Sequence, residues 1–93
     1  MLPWSLREVA ALVNGRLVKG EPEVMVMGVV HDTRNVKRGD LFVAIVGAKQ
    51  DGHRFLKEAA RRGAKGAVVS RLVAGVAIPQ IKVEDTTKAL GEL

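Results

Sequence analysis

The chain has 93 residues, 47% of them hydrophobic, which suffices for one domain with a true core and is too little for a complete multi-substrate synthetase. It has no cysteine, which excludes disulfides, thiol catalysis and cysteine zinc sites, and no apolar run nears the ~18–20 residues of a membrane helix. The net charge of +5 suits an anionic ligand, yet the basic residues are spread over helix faces and turns, and the only aromatics are Trp4, Phe42 and Phe55.

Nucleic-acid surfaces usually interleave basic groups with exposed stacking rings, and both phenylalanines fall in apolar patterns that read as core. No nucleic acid and no membrane are therefore expected as partners. The start, Met1-Leu2-Pro3-Trp4, is expected to run straight into a helix and lacks the build of a signal peptide, so a cytoplasmic protein is expected.

Ser5-Leu6-Arg7-Glu8 is a capping box, and Leu6, Val9, Ala10 and Val13 follow at helical spacing until Asn14-Gly15 ends the helix. Arg16–Lys19 is expected as a short edge strand, closed by the Gly20-Glu21-Pro22 turn. Val24–Val30 reads as one strand whose alternation Met and Gly blur. Leu41–Val46 is the continuous apolar run of a strand buried on both faces.

A second helix is expected over His53–Arg62, with Phe55, Leu56, Ala59 and Ala60 inward and Gly63 as its stop. Ala67–Ser70 and Gln80–Val83 read as further strands, and Asp85 as the N-cap of a helix over Thr86–Leu93. Strand, loop, helix and strand in that order from Leu41 to Ser70 imply a parallel pair with a right-handed crossover. The fold class is α/β: a small single domain with a mixed, largely parallel sheet and flanking helices.

The chemistry concentrates in residues 29–55, VVHDTRNVKRGDLFVAIVGAKQDGHRF. One strand ends in Asp32-Thr33-Arg34, and the next ends in a loop between Gly47 and Gly52 that opens a helix. If the two strands are neighbours, their carboxyl ends form one ligand-binding rim. Catalytic readings fail. The glycine spacing of Gly47–Gly52 resembles a phosphate loop, but His53-Arg54 stands where a Lys-Ser/Thr pair is needed. His31 and His53 lack a third strong ligand for a metal, Ser5 and Ser70 lack a placed base, and His53 reads as a loop brace. No catalytic residue and no metal site are expected.

The residues Asp32-Thr33-Arg34, Lys37-Arg38-Gly39-Asp40-Leu41-Phe42-Val43-Ala44, Gly47, Asp51-Gly52-His53, Phe55, Ala59 and Gly63-Ala64 together resemble the N-terminal domain of the Mur ligases. The likeness runs from Trp4-Ser5-Leu6 to Ile81-Lys82-Val83-Glu84-Asp85-Thr86. Asp-Gly-His, the Trp4 helix start and Val83-Glu84-Asp85-Thr86 are more similar to the member that adds D-alanyl-D-alanine. The member that adds the third peptide residue typically carries Asp-Ser-Arg and His-Gln-Ala, where this chain has Thr33 and Ala48-Lys49-Gln50. The aromatic that often precedes Asp-Gly-His is Gln50 here.

The resemblance implies that the domain holds the UDP end of a UDP-N-acetylmuramoyl-peptide through Asp32, Thr33, Arg34, Gly47, Ala48, Lys49, Gln50, Asp51, Gly52 and His53. The glycine-rich loop feeding a helix start would offer backbone N–H groups to the diphosphate. Thr33 would add a hydroxyl and Lys49 charge, and Gln50 or loop backbone would read uracil. Asp32 and Arg34 either contact the ligand or pair with the Lys37–Asp40 turn. The resemblance further implies residues 1–85 as the binding domain and 86–93 as the start of a linker helix. ATP, Mg2+ and the ligation chemistry would belong to absent central and C-terminal domains, so the chain alone is expected to be inactive.

Overall fold

The computed structural model describes residues 3–93. Met1 and Leu2 lie outside the described residues, and the chain expected to run straight into the first helix forms a strand at Trp4–Ser5 first. A short strand β1 (Trp4–Ser5) leads into α1 (Leu6–Leu12). The Ser5 side chain accepts from Glu8 N at 3.1 Å, and the Glu8 carboxylate accepts from Ser5 N at 2.9 Å. Two of the donors that a helix start leaves unpaired are thereby satisfied. At the other end Asn14 takes the left-handed conformation, φ 53°, while Gly15 donates to Ala10 O at 2.8 Å.

The expected strand Val24–Val30 is two strands. β3 (Met25–Val26) pairs antiparallel with β1, whereas β4 (Gly28–Val30) joins the main sheet. The switch falls at Met27, whose amide donates to Gly39 O at 2.9 Å. Two hydrogen-bonding partners in different sheets force the break, because one straight strand cannot serve both.

The remaining elements are β2 (Arg16–Leu17), β5 (Asp40–Val43), α2 (Leu56–Arg61), β6 (Gly66–Val69), β7 (Gln80–Lys82) and α3 (Thr86–Glu92). The main sheet has five strands in the order β2-β7-β6-β5-β4. β4 to β7 run parallel, in the register Val29↔Leu41, Leu41↔Gly66 and Val68↔Ile81, and β2 is the antiparallel edge. One face carries Leu41, Val43, Val68 and Ile81 against Leu6, Val9 and Ala89 of α1 and α3. The other carries Phe42, Ala67 and Val69 against Leu56 and Ala59 of α2. These clusters make three layers around a sheet covered on both faces. Ala89, Leu90 and Leu93 pack the segment expected to begin a linker onto the first face.

Two expectations need correction here. β5 stops at Val43, and Val46 is exposed because the chain curls over the strand end, where Ile45 O accepts from Gly52 N at 2.8 Å. The helix expected from His53 begins as a 3-10 turn, Gly52–Phe55, and becomes α-helical only at Leu56. Three residues per turn rather than 3.6 move Phe55 off the buried stripe. Phe55 is accordingly 36% exposed, whereas Phe42 is 1% exposed. Gly63 ends the helix at φ +105°, where a Cβ would lie 2.9 Å from Arg38 Cα, and its carbonyl accepts from Gly39 N at 2.9 Å. That contact ties the end of α2 to the turn before β5.

The burial difference sets a stability test. Leu41→Ala removes a wholly buried side chain and should cost about 2–5 kcal/mol, whereas Phe55→Ala should cost about 1–2 kcal/mol. Urea unfolding measures both, and equal losses would return Phe55 to the core.

Candidate ligand-binding site

The parallel pairing of β4 and β5 brings their carboxyl ends side by side, and a cleft of about 530 Å³ opens there. His31, Asp32, Thr33 and Arg34 line it from beyond β4, and Gly47, Gln50 and Gly52 from the loop beyond β5. Phe42, Ile45 and Phe55 supply the apolar part of the lining.

On the β4 side, Asp32 caps a 3-10 turn, Thr33–Asn35. Its Oδ1 accepts from Arg34 N at 2.9 Å and from Nε at 3.1 Å, and its Oδ2 accepts from an Arg34 terminal nitrogen at 2.6 Å. The Arg34 side-chain bonds, followed by its backbone bond, hold the Asp32 carboxyl down at about 2. The same pair raises the Arg34 guanidinium. The alternative pairing with the Lys37–Asp40 turn does not form. Asp40 turns its own carboxylate onto Lys37 N at 2.8 Å instead. Arg34 thus stands at the rim with its charge partly offset and its side chain 83% exposed.

The loop beyond β5 closes on itself. Gly47 N donates to Gln50 O at 2.7 Å, and Gly52 N to Ile45 O at 2.8 Å. Only glycine fits at position 52, since a Cβ would meet Ile45 N at 2.7 Å. Asp51 accepts from His53 N at 3.0 Å and from His53 Nδ1 at 2.7 Å, and its second oxygen accepts from Arg71 at 2.7 Å. The His53 backbone bond, then its ring and Arg71, hold the Asp51 carboxyl far below the usual carboxylate range.

These contacts correct one expectation. Gly52, His53 and Arg54 have their amides bonded to Ile45 O, Asp51 Oδ1 and Asp51 O, so the helix start offers no free N–H groups to a diphosphate. Within the loop, the amides of Ala48, Lys49, Gln50 and Asp51 have no intramolecular acceptor among the described residues.

His53 is 2% exposed, and its Nε2 accepts from Ser70 N at 2.9 Å. A backbone amide only donates, so Nδ1 carries the proton and faces Asp51. Both ring nitrogens are committed, and His53 braces the loop. Of the residues expected at the site, Asp32, Thr33, Arg34, Gly47, Gln50 and Gly52 line the cleft. Ala48 and Lys49 stand exposed at the loop tip, and Asp51 and His53 lie outside the lining.

Sequence reasoning missed His31, Ile45 and Phe55 as lining, and it missed Arg71 entirely. The Asp51 cap, which starts a 3-10 turn, was the available signal for Phe55. Arg71 has none, because its partner is distant along the chain.

The loop does not fit ATP. The position a phosphate-loop lysine would fill holds buried His53, and the Gly47 and Gly52 amides are spent on Gln50 O and Ile45 O. Among the described residues no three His, Asp or Glu side chains converge to hold a metal. Among the described residues no helix is long and apolar enough to cross a membrane.

A family model described as "Mur ligase family, catalytic domain" matches residues 25–93. Over all 93 residues the chain is 36% identical to the UDP-N-acetylmuramoyl-tripeptide–D-alanyl-D-alanine ligase of Haemophilus influenzae, covering 20% of it. Over 67 residues, 72% of the chain, it is 49% identical to the UDP-N-acetylmuramoyl-L-alanyl-D-glutamate–2,6-diaminopimelate ligase of Aquifex aeolicus, covering 14% of that protein. A crystal structure of MurF from Acinetobacter baumannii superposes on the whole chain with a TM-score of 0.90 at 30% identity, the chain covering 20% of it. The chain therefore spans a fifth or less of the length of these relatives.

The Asp51 cap has a pH signature. A carboxyl whose folded pKa is lowered contributes stability present above its unfolded pKa, and that stability is lost as pH falls. Asp51→Asn should cost about 1–2 kcal/mol at pH 7, and its deficit relative to wild type should narrow below about pH 4. Thermal unfolding from pH 7 to pH 2 measures the gap, and a gap of constant size would remove Asp51 from this role.

Proposed function

The chain belongs to the Mur ligase family, and on that premise we propose that it is the N-terminal, substrate-anchoring domain of a ligase that adds D-alanyl-D-alanine to UDP-N-acetylmuramoyl-tripeptide. Its task is to hold the UDP end of that substrate. The observation that carries this reading is the cleft between the ends of β4 and β5, where hydrogen-bonding groups on two rims flank an apolar strip. A nucleoside diphosphate has the matching division into a flat base and an anionic tail.

In this assignment Phe55 and Ile45 pack against the base, and the Gln50 side chain reads its edge. The Thr33 hydroxyl, the Arg34 guanidinium and the free amides of Ala48, Lys49 and Gln50 serve the diphosphate. Lys49 acts through its charge from the loop tip. Every one of these groups binds or orients, and none moves a proton.

ATP and Mg2+ would supply carboxyl activation in the central domain of the longer cytoplasmic enzyme, which with the C-terminal domain would hold the peptide end. A second reading, the same domain of a ligase adding 2,6-diaminopimelate, is favoured by the 49% identity to the Aquifex aeolicus protein. Both readings assign the cleft to UDP, so the same measurement tests the site in either.

UDP should bind this chain weakly, because in the whole enzyme other domains share the substrate. Thr33→Val removes one hydroxyl at nearly constant shape and should weaken binding by about 1 kcal/mol without unfolding the domain. Lys49→Ala should weaken it by an amount that shrinks with added salt. In calorimetric titration and amide chemical-shift mapping, changes should cluster on residues 32–34, 47–52 and 55. Shifts confined to the exposed side of α2 would sink the assignment.

A further inference from the structure

Ser70 and Arg71 follow β6 directly, and neither lines the cleft. Both nevertheless grip the loop that does. Ser70 N donates to His53 Nε2 at 2.9 Å, and the Arg71 guanidinium donates to Asp51 Oδ2 at 2.7 Å. Two adjacent residues beyond one strand thus hold two residues of the neighbouring strand's loop. β6 is paired on both sides, with β5 and with β7, so it is a fixed platform. Within itself the loop is tied by the Gly47–Gln50 and Gly52–Ile45 hydrogen bonds and by the Asp51 cap on His53.

The two grips differ in kind. His53 is sealed inside, and its bond to Ser70 belongs to the packing of the fold. Arg71 has 57% of its side chain exposed. Exposed ion pairs contribute little to global stability. Its geometric effect is larger, because Asp51 divides its oxygens: Oδ1 caps the turn that starts at Gly52, and Oδ2 goes to Arg71. Fixing Oδ2 fixes the rotation of the carboxylate, hence the start of the turn that sets Gly52 and Phe55 into the cleft.

We propose that Arg71 is a positioning residue of the nucleotide site: acting through Asp51, it holds the Gly47–Gly52 loop ready for ligand without touching the ligand itself. This rests on the reading of the cleft as a UDP site. A loop ordered beforehand spares the ligand the cost of ordering it.

The test compares wild type with Arg71→Gln, Arg71→Lys, Asp51→Asn and the Asp51→Asn/Arg71→Gln double variant. In each, amide hydrogen exchange at Gly47 and Gly52 is measured without ligand, together with UDP affinity at low and high salt and the thermal midpoint. Arg71→Gln should speed exchange at both glycines and weaken UDP about three- to tenfold. Its thermal midpoint should stay within a few degrees, and Arg71→Lys should recover part of the affinity. The double variant should bind no worse than Asp51→Asn alone, since Arg71 acts through that carboxylate.

Weakened binding with unchanged exchange, and an effect that vanishes in salt, would make Arg71 a direct ligand contact and overturn the proposal. Uniformly faster exchange with a large drop in the midpoint would make it a purely structural residue, and no change in any readout would make it an idle surface pair. If wild type binds no UDP, the nucleotide reading itself falls, and the ligand-free exchange still decides whether Arg71 holds the loop.

Discussion

Everything at the cleft depends on how β4 reaches β5. Parallel neighbours usually need a crossover of a dozen or more residues, often a helix. Here residues 31–39 make the connection without one, and the chain is folded tightly enough to return in register at Asp40. Three contacts hold that return. The buried Asp40 carboxylate takes the Lys37 amide, Gly39 O takes the Met27 amide, and Gly63 O takes the Gly39 amide. The last ties the connection to the far end of α2. The polar triplet Asp32-Thr33-Arg34 therefore projects beyond β4 from a braced segment, beside the loop that leaves β5.

Charge plays a smaller part at this site than the composition suggests. The excess of basic residues gives the chain +5, but the cleft meets that excess only at its margin. Arg34 is paired with Asp32, Arg71 with Asp51, and Lys49 stands at the loop tip outside the lining. On the proposed reading, recognition of the diphosphate would fall mainly to neutral donors, a threonine hydroxyl and backbone amides. The amides among them are oriented by the loop backbone rather than by flexible side chains. Such a site would select by shape and hydrogen-bond direction.

Local signals were legible in the sequence because their physics is local. The capping box of Ser5 and Glu8, the Asp85 cap and the Gly63 stop each satisfy backbone groups within a few residues, and all are present. The continuous apolar run at Leu41 named the strand buried on both faces, and its neighbour β6 followed from the strand–helix–strand order. The illegible features involve partners distant in sequence. Met27 breaks a strand because Gly39 takes its amide. Phe55 faces the cleft because the helix is entered through a 3-10 turn set by Asp51, whose carboxylate is in turn fixed from Arg71. At the site, the pattern named Thr33 and the two glycines, whereas Phe55, which matched an apolar helical stripe, was misplaced as core.

The commitments of His53 take the buried ring of this loop out of reach of a ligand. An acid or base must be able to exchange a proton with a substrate, yet both ring nitrogens of His53 are engaged inside the protein and the ring is buried. Asp51 and Asp32, the nearest carboxylates, are each held ionised by donors on the same chain. Strong internal pairing of this kind lowers basicity and fixes position together. It removes a group from catalysis and makes it a better support. On the proposed reading the cleft holds the UDP end of the substrate still, and the chemistry at the other end would need groups whose protons remain free to move.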